Sequence, residues 1–166
     1  METTTPPIFI FVGHSNAGKT TFVERLIPEL TRRGRRVATI KHAHHTVRLD
    51  TEGKDSWRYK QAGAALSMLV TANALQLVAD TGDGREPAQL AGRFLGEADI
   101  VLAEGFSHAP GPKIEVLRRE TGKPPRCGVE DGLIAIVTDC DEVYPELPHF
   151  ALDDIVAVAD FLMRRT

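Results

Sequence analysis

Short apolar runs alternate with amphipathic stretches along the chain, and this alternation predicts an α/β fold with a mostly parallel sheet flanked by helices. Ile8 to Val12 is continuously apolar, as expected for a strand buried on both faces. Apolar residues then recur at helical spacing up to Gly34, which predicts a helix. Further strands are predicted over Val37 to Lys41, Leu66 to Val70, Leu75 to Ala79, Ile100 to Ala103, Ile114 to Leu117 and Leu133 to Val137. Further helices are predicted from a cap at Asp55 or Ser56, from Glu86-Pro87, and from a cap at Asp153.

We expect residues 1–166 to form a single domain of this kind. Two segments, 66–80 and 111–119, fall outside the strand–helix alternation and predict a strand-rich patch. Ile114 to Leu117 is interpreted as an edge strand of that patch. Because an exposed strand edge is ready to pair with another chain, the patch predicts a homodimer.

The composition is that of an ordinary globular protein, with 42% hydrophobic and 26% charged residues among 166. A net charge of −3 and a pI of about 6.1 argue against a nucleic-acid partner. Cys127 and Cys140 lack the C-x-x-C spacing of a thiolate metal site. Met1 to Pro7 lacks the pattern of a signal peptide, and no apolar run reaches the length of a membrane span. We therefore expect a cytoplasmic protein without a membrane partner.

The segment Gly13-His14-Ser15-Asn16-Ala17-Gly18-Lys19-Thr20 fits the P-loop pattern G-x-x-x-x-G-K-[ST] between a buried strand and an amphipathic helix. Glycines let backbone N–H groups approach phosphate oxygens, and the helix N-terminus favours negative charge. Lys19 would reach the β- and γ-phosphates and serve in catalysis, and Thr20 would bind Mg²⁺. The predicted nucleotide contacts on this segment are Gly13, His14, Ser15, Asn16, Ala17, Gly18, Lys19, Thr20 and Thr21. The pattern indicates binding of a purine nucleoside triphosphate.

Two acids bracket the strand that starts at Ile100, and Mg²⁺ needs one of them as a partner. Asp99 precedes the strand and so belongs to the edge of a parallel sheet that is far from the phosphates. Glu104 ends the strand at the nucleotide edge. We therefore predict that Glu104 and Thr20 hold Mg²⁺.

The loop Lys41-His42-Ala43-His44-His45 follows the second strand and also belongs to the nucleotide edge. Its histidines would suit a transition metal, with Asp50 or Glu52 as a further ligand, or they would contact phosphates or a partner. A carboxylate in this region, Asp50 or Asp55, would orient an attacking water or a water on Mg²⁺. We assign that catalytic role to Asp50.

Several motifs together resemble one known family, the MobB adaptors of molybdopterin-guanine dinucleotide biosynthesis, which are P-loop GTPases. The motifs are the P-loop, the histidine loop, Gly53-Lys54-Asp55-Ser56, Glu104-Gly105-Phe106 and Pro112-Lys113-Ile114-Glu115-Val116. The similarity extends from Ile8 to the terminal helix. It implies binding of GTP and Mg²⁺, slow GTP hydrolysis and a homodimer. It also implies partnership with molybdopterin guanylyltransferase, which attaches GMP to molybdopterin, and with the maturation proteins that insert the finished cofactor into molybdoenzymes.

The chain departs from this family at a few positions that bear on nucleotide selection. Asn16 and Ala17 stand where relatives often carry Ser or Gly, which should change affinity more than chemistry because backbone groups hold the phosphates. GTPases usually recognise guanine with an N/T-K-x-D segment, whereas this chain has Thr138-Asp139-Cys140-Asp141. We assign the guanine edge to Asp139, although either aspartate would suit it. Guanine preference therefore depends on the resemblance.

Two other functions fit the same fold. A small-molecule kinase or ATP-dependent ligase would need an acceptor pocket and often a phosphate-clamping arginine, and Phe106 to Pro112 contains no arginine. A nickel- or zinc-handling GTPase would use His42, His44 and His45, and its metal binding would respond to nucleotide.

Overall fold

The computed structural model describes residues 5–43, 47–80, 85–141 and 143–166, and the chain divides into two compact units. The first unit comprises Met1–His42 and Glu86–Thr166, and the second comprises Ala43–Arg85. The strands of the chain are β1 (Ile8–Val12), β2 (Val37–Lys41), β3 (Leu66–Val70), β4 (Leu75–Ala79), β5 (Ile100–Glu104), β6 (Lys113–Leu117), β7 (Leu133–Thr138) and β8 (His149–Phe150). The α-helices are α1 (Lys19–Arg32), α2 (Asp55–Gln61), α3 (Pro87–Phe94) and α4 (Ile155–Met163).

The first unit is built on a six-stranded sheet in the order β2-β5-β1-β6-β7-β8, and every neighbouring pair is parallel. This arrangement confirms the predicted fold class. Parallel pairing brings the carboxyl ends of the strands to one edge. The register pairs Phe11 with Glu104 and Val12 with Glu115, so the end of β5 and the middle of β6 flank the point where the chain leaves β1.

The apolar residues that predicted β1 and α1 form the main core of this unit. Phe9 and Phe11 of β1 belong to one buried cluster with Leu26 and Leu30 of α1, and α4 adds Val158 to it. α1 and α4 are thereby fixed against the sheet, which holds the start of α1 beside the end of β1. Among the described residues, no helix has both the length and the apolar character that crossing a membrane requires.

The second unit contains α2 and a two-stranded antiparallel sheet of β3 and β4. Both strands begin and end where the sequence predicted. Their turn is closed by Thr71, whose backbone N–H donates to the carbonyl of Ala74 at 2.8 Å and whose hydroxyl donates to it at 3.0 Å. At the end of α2, Lys60 Nζ donates to the carbonyls of Ala64 and Ala65 at 2.7 and 2.9 Å.

The interpretation of Ile114 to Leu117 as an edge strand is wrong. These residues lie in β6, between β1 and β7 in the first unit's sheet, and all five residues of β6 are buried. Lys113 and Glu115, the polar residues of β6, have internal partners. Lys113 Nζ donates to the carbonyls of Ala109 and Asp131 at 2.6 and 2.5 Å. Segment 111–119 thus contributes no free strand edge, and β3 and β4 pair only with each other among the described residues.

The predicted helix caps also need correction. Lys54 is the N-cap of α2 and Asp154 is the N-cap of α4, and neither side chain hydrogen-bonds to its helix. Ser56, one of the two predicted caps of α2, instead donates its hydroxyl to Asp50 at 3.0 Å. For α2 and α4 the local patterns therefore placed the helix start to within a residue or two without identifying the capping residue, whereas Glu86 is the N-cap of α3 as the sequence indicated.

Candidate nucleotide site

The loop from Gly13 to Thr20 joins β1 to α1 in a conformation that depends on its glycines. Gly13 has a φ of 137° and Gly18, the N-cap of α1, has a φ of 90°, both in the region that favours glycine. A Cβ at Gly13 would also collide with the carbonyl oxygen of Val116 on the neighbouring β6. The phosphate-side contacts predicted on this segment all lie on the loop or the first turn of α1: Gly13, His14, Ser15, Asn16, Ala17, Gly18, Lys19, Thr20 and Thr21. The first N–H groups of a helix have no intrahelical acceptor, so this turn offers donors to an anion.

Lys19 folds back across the loop. Its Nζ donates to the backbone carbonyls of Gly13 at 3.0 Å and His14 at 2.8 Å. Burial lowers the pKa of Lys19, and the positive charge of Arg126 lowers it further, whereas Glu104 raises it. The ammonium is thus partly desolvated and close to other charges, a setting in which a phosphate would be a favourable partner.

Thr20 and Glu104 meet at the carboxyl edge of the sheet. Thr20 Oγ1 lies 2.8 Å from Oε1 and 2.9 Å from Oε2 of Glu104, to which it donates its proton. Lys41, which pairs with Glu104 in the register of β2 and β5, donates its Nζ to Thr20 Oγ1 at 3.0 Å and lies 3.2 Å from Glu104 Oε1. The structure therefore brings together the two predicted metal ligands and adds a cation, Lys41, that was not assigned to the site.

Asp99 lies at the other end of β5, as predicted. Its carboxylate accepts the backbone N–H of Arg36 at 2.7 Å and forms an ion pair with the Arg36 guanidinium at 3.1 Å. These hydrogen bonds lower the pKa of Asp99. Asp99 is therefore engaged at the amino edge of the sheet, away from the end of β1.

Arg118 is a site residue that the sequence did not identify. It directly follows β6, on the side of β1 opposite to β5. A Cβ at Gly18 would lie 3.3 Å from Arg118 Nε, so the guanidinium packs against the peptide at the start of α1. Arg118 Nε is buried and has no hydrogen-bond partner among the described residues. A buried donor without an acceptor is costly, and an anion at the helix N-terminus would satisfy it.

A short segment, residues 124–127, contacts the P-loop and is called the strap below. His14 Nε2 lies 3.0 Å from the carbonyl oxygen of Pro124. The carboxylate of Glu115 accepts the backbone N–H groups of Arg126 at 2.6 Å and Cys127 at 3.1 Å. Glu115 is 0% exposed, and burial raises its pKa although these hydrogen bonds oppose the shift. Arg126, which belongs to the strap, was not assigned to the site from the sequence. The only signal for it in the sequence is a basic residue in a loop at the nucleotide edge.

The segment predicted to recognise guanine follows β7, two strands from β1. Asp139 Oδ1 accepts the backbone N–H of Arg119 at 2.7 Å, and Asp141 forms an ion pair with the Arg119 guanidinium at 2.8 Å. A cavity of about 460 Å³ opens beside this turn and is lined by Thr138, Cys140, Pro145, His149, Phe150 and Ala151. Both aspartates thus have protein partners, and the assignment of guanine to Asp139 stays a prediction.

Asp50, the predicted catalytic carboxylate, belongs to the second unit. Its Oδ1 accepts the backbone N–H of Thr51 at 2.8 Å and the hydroxyl of Ser56 at 3.0 Å. Its Oδ2 is buried and has no hydrogen-bond partner among the described residues. A cavity of about 440 Å³ lies beside Asp50, with Trp57 and Lys60 in its lining. Oδ1 of Asp50 is therefore satisfied by two donors, whereas Oδ2 lacks a donor among the described residues.

The histidine loop is described only in part, because His44 and His45 lie outside the described residues. The ring of His42 packs on that of Phe106, with 5.1 Å between their centroids. Across residues 5–43, 47–80, 85–141 and 143–166, no three His, Cys, Asp or Glu side chains come together as a metal site would require. The transition-metal hypothesis for all three histidines stays untested.

Comparison with known proteins gives one consistent result. The profile of the family described as MobB, molybdopterin guanine dinucleotide synthesis protein B, matches residues 8–139. The molybdopterin-guanine dinucleotide biosynthesis adapter protein of Haemophilus influenzae is 39% identical over 161 residues, covering 94% of this chain and 87% of that protein. The adapter protein of the same name from Escherichia coli is 33% identical, covering 95% of this chain and 91% of that protein. The crystal structure of Bacillus subtilis MobB has 33% identity and a TM-score of 0.74, covering 96% of this chain and 97% of that one. The chain therefore belongs to the MobB family.

Proposed function

We propose that this chain binds GTP with Mg²⁺ at the P-loop and acts as an adaptor in the biosynthesis of molybdopterin guanine dinucleotide. The observation that carries the nucleotide assignment is the left-handed glycine loop that enters α1, with the Lys19 ammonium folded over its carbonyls. The pathway assignment comes from the adapter proteins of H. influenzae and E. coli, which resemble the chain over nearly its whole length. We infer that the protein acts in the cytoplasm.

The loop supplies the donors that a triphosphate needs. The first turn of α1 presents backbone N–H groups, and the left-handed glycines let the ligand approach the backbone closely. Lys19 would exchange its two carbonyl acceptors for phosphate oxygens, which form stronger, charge-assisted hydrogen bonds. Arg118, whose buried Nε lacks an acceptor among the described residues, would donate to the phosphates from the side of β6.

The side of β5 supplies oxygen ligands that suit Mg²⁺. Thr20 and Glu104 present a hydroxyl and a carboxylate within hydrogen-bond distance of each other, and hard oxygen donors are what Mg²⁺ prefers. Lys41 places a positive charge against the same two oxygen groups, which supports a preference of this position for a cation. When bound, Mg²⁺ neutralises charge on the β- and γ-phosphates.

We infer slow GTP hydrolysis, with Lys19 holding the terminal phosphates and Asp50 orienting the attacking water. The support for Asp50 is a carboxylate fixed through one oxygen, with the second oxygen lacking a donor among the described residues. We also infer that Asp139 accepts from the guanine base. It follows a strand two positions from β1 in the sheet, beside a cavity of about 460 Å³. Both roles are to be tested by substitution.

We further propose that two copies of the chain associate through the sheet of β3 and β4. The register places the side chains of Leu66, Met68 and Val70 on the same face as those of their partners on β4. Met68, Val70 and Leu75 on this face are 58, 66 and 64% exposed. Exposed apolar faces of this kind mark interaction sites. The dimer would in turn associate with molybdopterin guanylyltransferase and with the maturation proteins of molybdoenzymes.

Titration calorimetry with GTP and ATP, each with and without Mg²⁺, tests the nucleotide assignment. We expect Mg²⁺-dependent binding of GTP, with ATP weaker by at least about tenfold. In Lys19→Ala, GTP should no longer raise the unfolding temperature. The variant should cost little stability without nucleotide, about 1 kcal/mol for each lost hydrogen bond. Lys123→Ala, which removes an exposed lysine, is the control. Equal stabilisation of Lys19→Ala and wild type by GTP would contradict the P-loop assignment.

A further inference from the structure

The strap is held on the P-loop from two sides. His14 lies in the loop itself, and its ring nitrogen is 3.0 Å from the carbonyl oxygen of Pro124. Glu115 lies in β6 and pairs in register with Val12, the last residue before the loop. Its two carboxylate oxygens accept the N–H groups of Arg126 and Cys127. The backbone of the strap is therefore anchored at two points. One is His14 in the P-loop itself, and the other is Glu115, which pairs with the residue just before the loop.

Glu115 is an unusual choice for a position in the middle of a buried sheet. Its side chain is fully buried, in a strand whose two neighbours are also strands of the core. Burying a carboxylate is costly unless hydrogen bonds compensate it, and here both compensating donors are backbone groups of the strap. An apolar residue would pack at this position without that cost. The carboxylate instead fixes the position of the strap backbone through these two hydrogen bonds.

The side chain that this backbone carries at the site is Arg126. Its guanidinium is exposed and forms no ion pair or hydrogen bond with any residue that the structure describes. Its charge acts on Lys19, which itself lies over the P-loop. Glu104 and Glu115 act on Lys19 in the opposite sense to Arg126, so the repulsion between the two cations is partly offset in the empty protein. A bound polyphosphate would turn this repulsion into attraction.

We propose that Arg126 contacts the terminal phosphate of bound GTP as an arginine supplied by the chain itself, and that Glu115 is its positioning residue. The proposal rests on the nucleotide site described above. In hydrolysis, the oxygen of water forms a bond to the γ-phosphorus, and the bond from that phosphorus to the β–γ bridging oxygen breaks. The products are GDP and inorganic phosphate, and the proton released from water passes to phosphate or solvent. Arg126 would stabilise negative charge on the transferring phosphoryl group, the role that arginine fingers have in P-loop enzymes.

The experiment measures single-turnover GTP hydrolysis and the affinities for GTP and GDP with Mg²⁺ present. We expect Arg126→Ala to lower the hydrolysis rate at least about tenfold and to reduce the preference for GTP over GDP at least about threefold. Arg126→Lys should retain part of that preference but little of the rate, because an ammonium lacks the planar fork of a guanidinium. Arg36→Ala removes an arginine at the opposite edge of the sheet and should match wild type.

The role of Glu115 is tested by combining its substitution with that of Arg126, because a lower rate in a single variant would not separate positioning from a structural role. Glu115→Gln keeps one oxygen acceptor and should lower the hydrolysis rate severalfold when Arg126 is present. In an Arg126→Ala background the same substitution should change the rate by less than about twofold. If Glu115→Gln does not fold, Pro125→Gly loosens the strap backbone without touching the carboxylate and should give the same pattern. Equal effects of either variant in both backgrounds would mean a purely structural role and would overturn the positioning assignment.

The outcomes also separate this inference from the proposed function. Wild-type protein that binds neither GTP nor GDP would refute the nucleotide site and Arg126 with it. Wild-type protein that binds GTP with Mg²⁺, together with an Arg126→Ala variant unchanged in rate and in GTP preference, would refute the role of Arg126 alone. If wild-type hydrolysis is too slow to measure, the ratio of GTP to GDP affinity decides the contact with the terminal phosphate.

Discussion

Thr20 at the start of α1 and Glu104 at the end of β5 share a hydrogen bond of 2.8 Å, although 84 residues separate them in the sequence. The contact follows from the parallel pairing of β1 and β5, which aligns Phe11 with Glu104. Parallel strands end at a common edge, so a residue that ends β5 meets the loop that leaves β1. This relationship makes Glu104 the acid through which the metal proposal is most directly tested.

Glu104→Gln should weaken Mg²⁺-dependent GTP binding at least about tenfold and slow hydrolysis with it, because a metal partner contributes to both. The amide keeps an acceptor for Thr20 but loses the negative charge. Asp99→Asn, at the other end of the same strand, is the matched control and should leave both quantities unchanged. Calorimetry with and without Mg²⁺ and single-turnover assays measure the two effects. A Glu104→Gln variant that binds and hydrolyses Mg²⁺–GTP like wild type would show that the assignment is wrong.

Much of the fold follows from local pattern. The continuous apolar run of β1 and the helical spacing of α1 are both in the main core, and the predicted bounds of β3 and β4 are those observed. The placement of β6 failed because Lys113 and Glu115 alternate with apolar residues as an edge strand would. Their partners, the carbonyls of Ala109 and Asp131 and the N–H groups of the strap, lie outside the strand. Such internal pairing cannot be read from the strand itself.

The residues of the site also differ in how far the sequence predicts them. The P-loop was predictable because one contiguous segment contains the whole phosphate cradle, and Glu104 was predictable because strand direction decides which acid faces it. Arg118 was missed because it approaches the loop from β6, which has no motif. Arg126, for which a role is proposed, lies in the strap, which has no motif either and is held by Glu115 through its backbone. The absence of arginine in Phe106 to Pro112 therefore does not separate an adaptor from a kinase. Comparing GTP with ATP and assaying for phosphoryl acceptors does.

Glu115 predicts a specific dependence of stability on pH. Burial raises the pKa of its carboxyl above the ordinary value of 4.5, despite the hydrogen bonds from Arg126 and Cys127 and the positive charges of His14 and Arg126. A carboxyl that holds its proton more tightly in the folded state stabilises the fold at low pH. That contribution is lost as the pH rises from about 4.5 through the raised pKa.

The change that tests this is Glu115→Gln, which cannot titrate. The free energy of unfolding of wild type, relative to the variant, should fall as the pH rises above about 4.5 and then level off. Urea unfolding at a series of pH values measures the difference. Taking the difference removes the contributions of other groups that titrate alike in both proteins. Parallel stability curves across this range would contradict the raised pKa of Glu115.

Asp50→Asn should lower GTP hydrolysis at least about tenfold while changing GTP affinity by less than about twofold. A group that orients water acts on the reaction and not on ground-state binding. Asparagine keeps the oxygen that accepts from Thr51 and Ser56, so the local structure should persist. Asp55→Asn, an exposed carboxylate in the same unit, is the control. Single-turnover assays and calorimetry decide, and an unchanged rate would remove Asp50 from the mechanism.

The proposed dimer depends on one face of the sheet formed by β3 and β4. Met68 lies opposite Leu77, and Val70 lies opposite Leu75, so apolar side chains adjoin across both strands. The opposite face is mixed, since Gln76 pairs there with Leu69. A partner strand or sheet would bury the apolar face, and a second copy of the chain supplies a matching surface by symmetry.

Met68→Glu should therefore convert the dimer into a monomer. A two-fold interface would contain two copies of the new carboxylate, and burying them unpaired should cost about 3 kcal/mol, a rise of roughly a hundredfold in the dissociation constant. Gln76→Glu adds the same charge to the opposite face and should leave the dimer intact. Sedimentation equilibrium at micromolar concentration compares the two variants with wild type. A wild-type protein that is monomeric there, or a Met68→Glu variant as dimeric as Gln76→Glu, would exclude this face as the interface.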